Sequence, residues 1–171
     1  MKIIPRTKLN PKAGQNFKFT FDIPMGFTLV IDTREQAPLF ATGSLPKGLL
    51  VVRDTLSVGD YSVRGFESQI AVERKTIYDL LTCLGNERER FKRELEKLKD
   101  YEWRSIVLEG TEEELLQFHD FSLMHPESVR QSVVSINIRY GIQFYFSPKR
   151  SSIERWVLDH FIKFYRIKRE G

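Results

Sequence analysis

Several short apolar runs, most of them stopping abruptly on a charged residue, constrain the fold more than any other feature of the chain. Phe27 to Ile31 stops at Asp32, Gln69 to Val72 at Glu73, and Arg104 to Leu108 at Glu109-Gly110. Leu49 to Val52, Tyr61 to Val63 and Ile142 to Phe146 have the same character. Such runs are too short for helices, and too apolar to leave one face in water. They predict strands of a sheet covered on both sides. The strands between 27 and 72 follow one another without helical spacing, which predicts a meander rather than alternating βαβ units.

The cover comes from amphipathic segments. Thr76 and Asp79 form a capping-box pattern ahead of a short helix that Gly85 closes. Asn86 opens a charged helix to about Lys99, with Phe91, Leu95 and Leu98 on one face and Glu89 four residues before Arg93. Pro126 starts a helix to Tyr140 whose Val129, Val133 and Ile136 point inward, and Gly141 caps it. Ser151 or Ser152 begins a last helix that buries Ile153, Trp156, Val157, Phe161 and Phe164. Phe17 to Ile23 alternates apolar and polar residues, as a half-buried strand does. The fold class is therefore α/β, a central mixed sheet flanked by helices.

With 171 residues, 41% of them hydrophobic, the chain has material for one core. Residues 1–16, with two prolines and several Lys/Arg, read as a flexible basic arm; residues 17–171 form the single folded domain. No run is apolar enough to cross a membrane, and no apolar segment follows the N-terminal charges as in a secretory signal. The one cysteine, Cys83, excludes an internal disulfide, and the three histidines lack ligand spacing. An intracellular setting is expected. The net charge of +4 is uneven: residues 1–20 carry five basic and no acidic residues, whereas residues 21–148 carry fifteen basic and twenty acidic. Basic ends around an acidic centre suit a chain that binds a polyanion and holds cations in its middle. Solvated terminal charge is the plain alternative.

Carboxylates gather at strand ends in three segments: Val30-Ile31-Asp32-Thr33-Arg34-Glu35, Gly59-Asp60-Tyr61, and Val72-Glu73-Arg74-Lys75 followed by Asp79. In a strand, Glu73 and Lys75 share a face and Arg74 points away. An aspartate beside a Glu-x-Lys pair offers hard oxygen ligands suited to Mg2+ or Mn2+, with an ammonium next to them. Alone, that pattern recurs on many surface strands.

The order of the three segments is more specific. Asp32-x-Arg34-Glu35, then Gly59-Asp60, then Glu73-Arg74-Lys75-x-x-x-Asp79 resembles the signature of XPF-type structure-specific endonucleases. Gly85-Asn86-Glu87-Arg88-Glu89-Arg90-Phe91 is similar to the following helix in stand-alone bacterial and phage members. The resemblance covers about residues 26–165. It implies a restriction-endonuclease-like fold, a single nuclease domain over 17–171, and Mg2+- or Mn2+-dependent cleavage of branched or flap DNA in repair or recombination. By the same resemblance, Asp60 and Glu73 are the principal metal ligands and Asp32 a further acid at the metal or just behind it. Lys75 serves the attacking water and the phosphate. Arg34, Glu35 and Arg74 match motif positions that make either phosphate contacts or internal ion pairs. Arg88 matches an arginine position open to DNA contact or to solvated pairing. The paired helix-hairpin-helix repeats of many relatives, and any helicase loop, are not found. The DNA structure preferred, and a homodimer or a nuclease partner subunit, stay open.

Plainer readings stand beside these. Asp79 and Thr76 fit a helix cap; Glu109 fits a solvated strand end. Arg90 and Arg93 fit salt bridges on a glutamate-rich helix, and Trp103, Trp156 and Cys83 fit core packing. Phe17, Phe19 and Phe21 with Lys18 fit an edge strand or a DNA-facing ribbon. The functional alternative is a catalytically silent DNA-junction-binding or scaffold subunit. The presence of Asp32, Asp60, Glu73 and Lys75 argues against it.

Overall fold

In a computed structural model, which describes residues 20–40 and 45–170, six strands form one mixed sheet. They are β1 (Thr28–Asp32), β2 (Leu50–Asp54), β3 (Tyr61–Val63), β4 (Ile70–Thr76), β5 (Trp103–Glu109) and β6 (Gln143–Ser147), in the order β2-β1-β3-β4-β5-β6. β1 pairs parallel to β2 and antiparallel to β3, β3 is antiparallel to β4, and β4, β5 and β6 run parallel.

Side-chain alternation divides the core in two. Leu29 and Ile31 of β1, Tyr61 and Val63 of β3, Ile70 and Val72 of β4, and Val107 of β5 bury against α5 (Arg150–Glu170) through Ile153, Val157, Phe161 and Tyr165. On the other face Ala71, Ile106 and Leu108 meet α1 (Ile77–Leu84), α2 (Arg88–Lys99) and α4 (Pro126–Tyr140). The anchors on α2 are Phe91, Leu95 and Leu98; those on α4 are Val129 and Ile136, with Val133 partly buried beside them. Among the described residues, no helix is long and apolar enough to cross a membrane.

Several expectations change. β2 does not continue a meander: it joins the sheet edge parallel to β1, and helical crossovers appear only after β4. Residues 1–16 and Phe17 to Phe19 lie outside the described residues, while Thr20 to Ile23 form no strand. Phe21 and Ile23 pack against the α5-side core instead, so their alternation reflects burial without a ladder. Helix α5 starts at Arg150, because the Ser147 hydroxyl accepts the Lys149 N–H and turns the chain early; Ser151 and Ser152 lie inside the helix. Glu89 pairs with Lys92 rather than Arg93. A one-turn helix, α3 (Glu112–Leu115), is capped reciprocally by Thr111 and Glu114. Its Thr-x-x-Glu signal is visible in the sequence.

Phe161 is fully buried at the centre of the α5 contact and packs edge-on against Trp103. Phe161→Ala is expected to lower unfolding stability by about 3–5 kcal/mol. Urea denaturation followed by circular dichroism measures it, and a loss below about 1 kcal/mol would contradict this core assignment.

Candidate active site at the carboxylate row

Strand register builds the site. Ile31 stands opposite Tyr61 and Tyr61 opposite Val72. One step along the same antiparallel pairings, Asp32, Asp60 and Glu73 stand side by side across three strands, on the face away from α5. Main-chain bonds hold the row: Asp32 N–H donates to the Asp60 carbonyl and Asp60 N–H to the Val72 carbonyl, both at 2.8 Å. Adjacent residues in such a row have Cβ atoms roughly 4.5–5.5 Å apart. Gly59 makes the approach possible, since its φ is +82° and an added Cβ would lie 3.1 Å from Ala71 Cβ and 3.3 Å from the Val72 carbonyl oxygen. A side chain there would be strained and crowded together, which gives the Gly-Asp pair its physical reason.

The three carboxylates have different surroundings. Asp32 is 1% exposed. Its Oδ1 accepts the Arg34 N–H and Nε–H at 2.8 Å each, and its Oδ2 accepts Arg34 Nη2–H at 2.9 Å and Leu56 N–H at 2.7 Å. Burial pushes its carboxyl up, but these hydrogen bonds and the Arg34 charge outweigh it and hold the group below its ordinary value. Asp60 accepts the Arg74 main-chain N–H at 2.7 Å and makes no ion pair. Burial, and then the Glu73 carboxylate beside it, push Asp60 up to about 8. Glu73 accepts a hydrogen bond from Lys75 Nζ at 2.8 Å.

Lys75 lies behind Glu73, with its ammonium 5.3 Å from the centre of the Phe91 ring. Burial pulls its pKa down, yet the Glu73 charge more than compensates and keeps it a firm cation. A cleft of about 210 Å3 opens in front, lined by Asp32, Arg34, Asp60, Glu73, Glu94 and Lys97 among others. Sequence reasoning missed Glu94 and Lys97. They border the apolar stripe of α2, and only the packing of that helix over β4 brings them to the cleft.

On the opposite face, Arg74 is 11% exposed at its side chain and reaches Glu35 with two bonds of 3.0 Å and Glu109 with one of 3.1 Å. Arg150 pairs with Glu109 at 2.9 Å and donates to the Ala37 and Pro38 carbonyls. Burial raises Glu35, but Arg74 and the Ala37 N–H bring it below its ordinary value. Glu109 is thus a member of an ion network and not a plain solvated terminus. Arg53, also missed, clamps the turn after β1 by donating to the carbonyls of Asp32, Thr33 and Glu35. Asp79 sits outside the cleft in the capping box with Thr76. Arg88 is exposed on α2, away from the row.

A family model described as the ERCC4 domain matches residues 31–159. The chain belongs to the ERCC4 domain family. Among solved structures it is similar to XPF from Aeropyrum pernix, with a TM-score of 0.58 and 22% identity over 81% of this chain and 61% of that one. XPF from Aeropyrum pernix in complex with DNA is similar too, with a TM-score of 0.59 and 22% identity over 82% and 66%. The ERCC4 chain described here thus spans less than two thirds of either XPF chain, and both likenesses show a shared fold. No curated protein matches the sequence.

Among the described residues, no group of three His, Cys, Asp or Glu side chains is arranged to hold a metal ion. In this ERCC4 domain the Asp32 oxygens already carry four N–H donors, which leaves Asp60 and Glu73 as the open pair. That pair fits magnesium or manganese, since magnesium is commonly held by one or two carboxylates and completes its shell with water and substrate phosphate. The raised Asp60 carboxyl points the same way: two neighbouring carboxylates resist joint ionisation until a cation joins them.

A pH test follows from Asp60. Above its ordinary value near 3.8 the unfolded chain has released this proton, whereas the folded chain keeps it up to about 8. Folded-state stability from this group is therefore fully present below pH 3.8 and is lost as pH rises through about 8. Asp60→Asn retains an acceptor for the Arg74 N–H and cannot ionise. Thermal unfolding in EDTA is expected to show the variant gaining on wild type between pH 5 and pH 9, and magnesium to narrow the gap by stabilising wild type alone. Parallel pH profiles would contradict the assignment.

Proposed function

We propose that the chain is a divalent-metal-dependent DNA endonuclease that hydrolyses phosphodiester bonds in branched or flap DNA. The observation that carries this reading is the pairing of Asp60 and Glu73 in one row, with the Lys75 ammonium locked on Glu73. Membership of the ERCC4 domain family supports it, as does the likeness to an archaeal XPF whose structure was solved in complex with DNA.

Asp60 and Glu73 are the residues that would hold Mg2+ or Mn2+, with Asp32 behind them. When bound, such an ion polarises a phosphate oxygen and lowers the pKa of a coordinated water. The protein's own residues do the rest. Asp32, clamped by Arg34 and Leu56, fixes the loop that carries Asp60. Lys75 is held as a cation, so it cannot act as a general base; it donates hydrogen bonds to the attacking water and to charge building on the phosphate. Arg34, whose side chain is two-thirds exposed while it chelates Asp32, lines the cleft and would meet a phosphate there. Arg74, Glu35, Glu109 and Arg150 act from the opposite face by anchoring the strand ends. Arg74 also contributes the main-chain N–H that orients Asp60.

The test uses end-labelled flap, fork, linear duplex and single-stranded DNA with magnesium, manganese or EDTA. Metal-dependent cutting of flap or fork DNA is expected, with at least about 100-fold loss in Asp60→Ala and in Lys75→Ala. Tight fork binding with no cutting in either metal would replace this reading with the silent junction-binding subunit.

A further inference from the structure

On the flank of α2 away from the carboxylate cleft, a groove of about 320 Å3 runs between α2 and α4. Its floor is apolar, with Phe91 and Leu95 prominent, and its walls carry Arg88 and Lys92 from α2 and Ser135 and Arg139 from α4. Among the described residues, no aspartate or glutamate lines it. We propose that this groove is a second DNA-contact site, in which Arg88 and Arg139 hold the phosphodiester backbone of one arm of the substrate. The inference rests on the endonuclease reading and adds to it a path for DNA outside the catalytic cleft.

The pairing of the arginines carries the argument. Among the described residues, nearly every arginine is engaged within the chain: by a carboxylate in Arg34, Arg64, Arg74, Arg90, Arg130, Arg150 and Arg166, by main-chain carbonyls in Arg53 and Arg104, by a ring in Arg169. Arg155 also has a partner. Arg88, Arg93 and Arg139 have none, and two of these three line this one groove from opposite walls. Lys92 beside them holds only an exposed pair with Glu89, a contact that water and salt readily loosen.

Free guanidinia contributed by both walls of a groove that no described acid lines match a phosphodiester strand in sign. Their planar forks suit phosphate oxygens better than a lysine would. The apolar floor gives the sugar edge of the strand a surface to lie on. A carboxylate-bearing peptide would satisfy the same charges. DNA is favoured because α2 also presents Glu94 and Lys97 to the cleft, so one helix carries both surfaces.

The experiment measures binding of fluorescein-labelled fork DNA by anisotropy, with the full chain in EDTA, over a series of salt concentrations. Arg88→Gln combined with Arg139→Gln is expected to weaken binding about tenfold, and to reduce the slope of log affinity against log salt by about 1.8, as for two lost phosphate contacts. Arg88→Lys with Arg139→Lys is expected to restore most of the slope. Arg93→Gln, an equally free arginine outside the groove, leaves affinity and slope unchanged. Thermal unfolding confirms that each variant is folded; should the double glutamine variant not be, Ser135→Glu, which puts an acid into the groove, is expected to weaken binding in its place. Unchanged affinity and slope in a folded groove variant overturn the inference while leaving the endonuclease reading intact. Failure of wild type both to bind forks and to cut DNA with metal overturns both.

Discussion

The antiparallel register of β1, β3 and β4 is the constraint on which the rest of the site depends. It sets three carboxylates shoulder to shoulder on one face of the sheet, and like charges directly opposite each other are destabilising. The fold accommodates them by treating each differently. Asp32 is buried and fully hydrogen-bonded, Glu73 is matched by Lys75, and Asp60 is left with a single main-chain donor. The residual strain is concentrated on one group, Asp60, and a cation held at the cleft would relieve it.

The alternation that makes the row also builds its support. Arg74 lies between Glu73 and Lys75 in sequence and on the opposite face of the sheet in space. There it binds Glu35 and Glu109, and Arg150 at the start of α5 binds Glu109 in turn. Removing one partner from such a network typically costs about 3–5 kcal/mol, because it leaves a charge buried without its match. The network therefore ties the ends of β4 and β5, the turn after β1 and the first turn of α5 into one rigid block beneath Asp60. A one-residue slip of β4 would exchange the two faces, moving Arg74 into the cleft and Glu73 into the α5-side core. Register and site are the same constraint.

Much of this was legible in the sequence because alternation and capping are local rules. The short apolar runs located the described strands, Thr76 and Asp79 gave the cap of α1, and Glu73-x-Lys75 placed two groups on one face. What stayed hidden depends on which strands become neighbours. Nothing local to Leu50–Asp54 says that it joins the edge parallel to β1, so Arg53's clamp on the turn after β1 was invisible. Glu109 read as a solvated end because its partners lie 35 and 41 residues away in the chain. Glu94 and Lys97 sit at the border of an apolar stripe, where only the docking angle of the helix decides whether they face water or the cleft.

The fold satisfies some of the described charged groups and leaves others open. Beneath the sheet the described buried charges have their partners in the Arg74, Glu35, Glu109 and Arg150 network, and on α2 the Arg90 pairs with Glu87 and Glu94 close on themselves. Among the described groups left open, two clusters stand at concave places on the surface. At the cleft there is an excess of negative charge with Asp60 lacking a cation; at the groove on the other flank of α2 there is an excess of positive charge with Arg88 and Arg139 lacking an anion. Both surfaces hang on one helix, anchored by Phe91, Leu95 and Leu98. Phe91 floors the groove while its ring lies against the Lys75 ammonium that holds Glu73. A polyanion seated in the groove would therefore rest against the packing that fixes the position of Lys75.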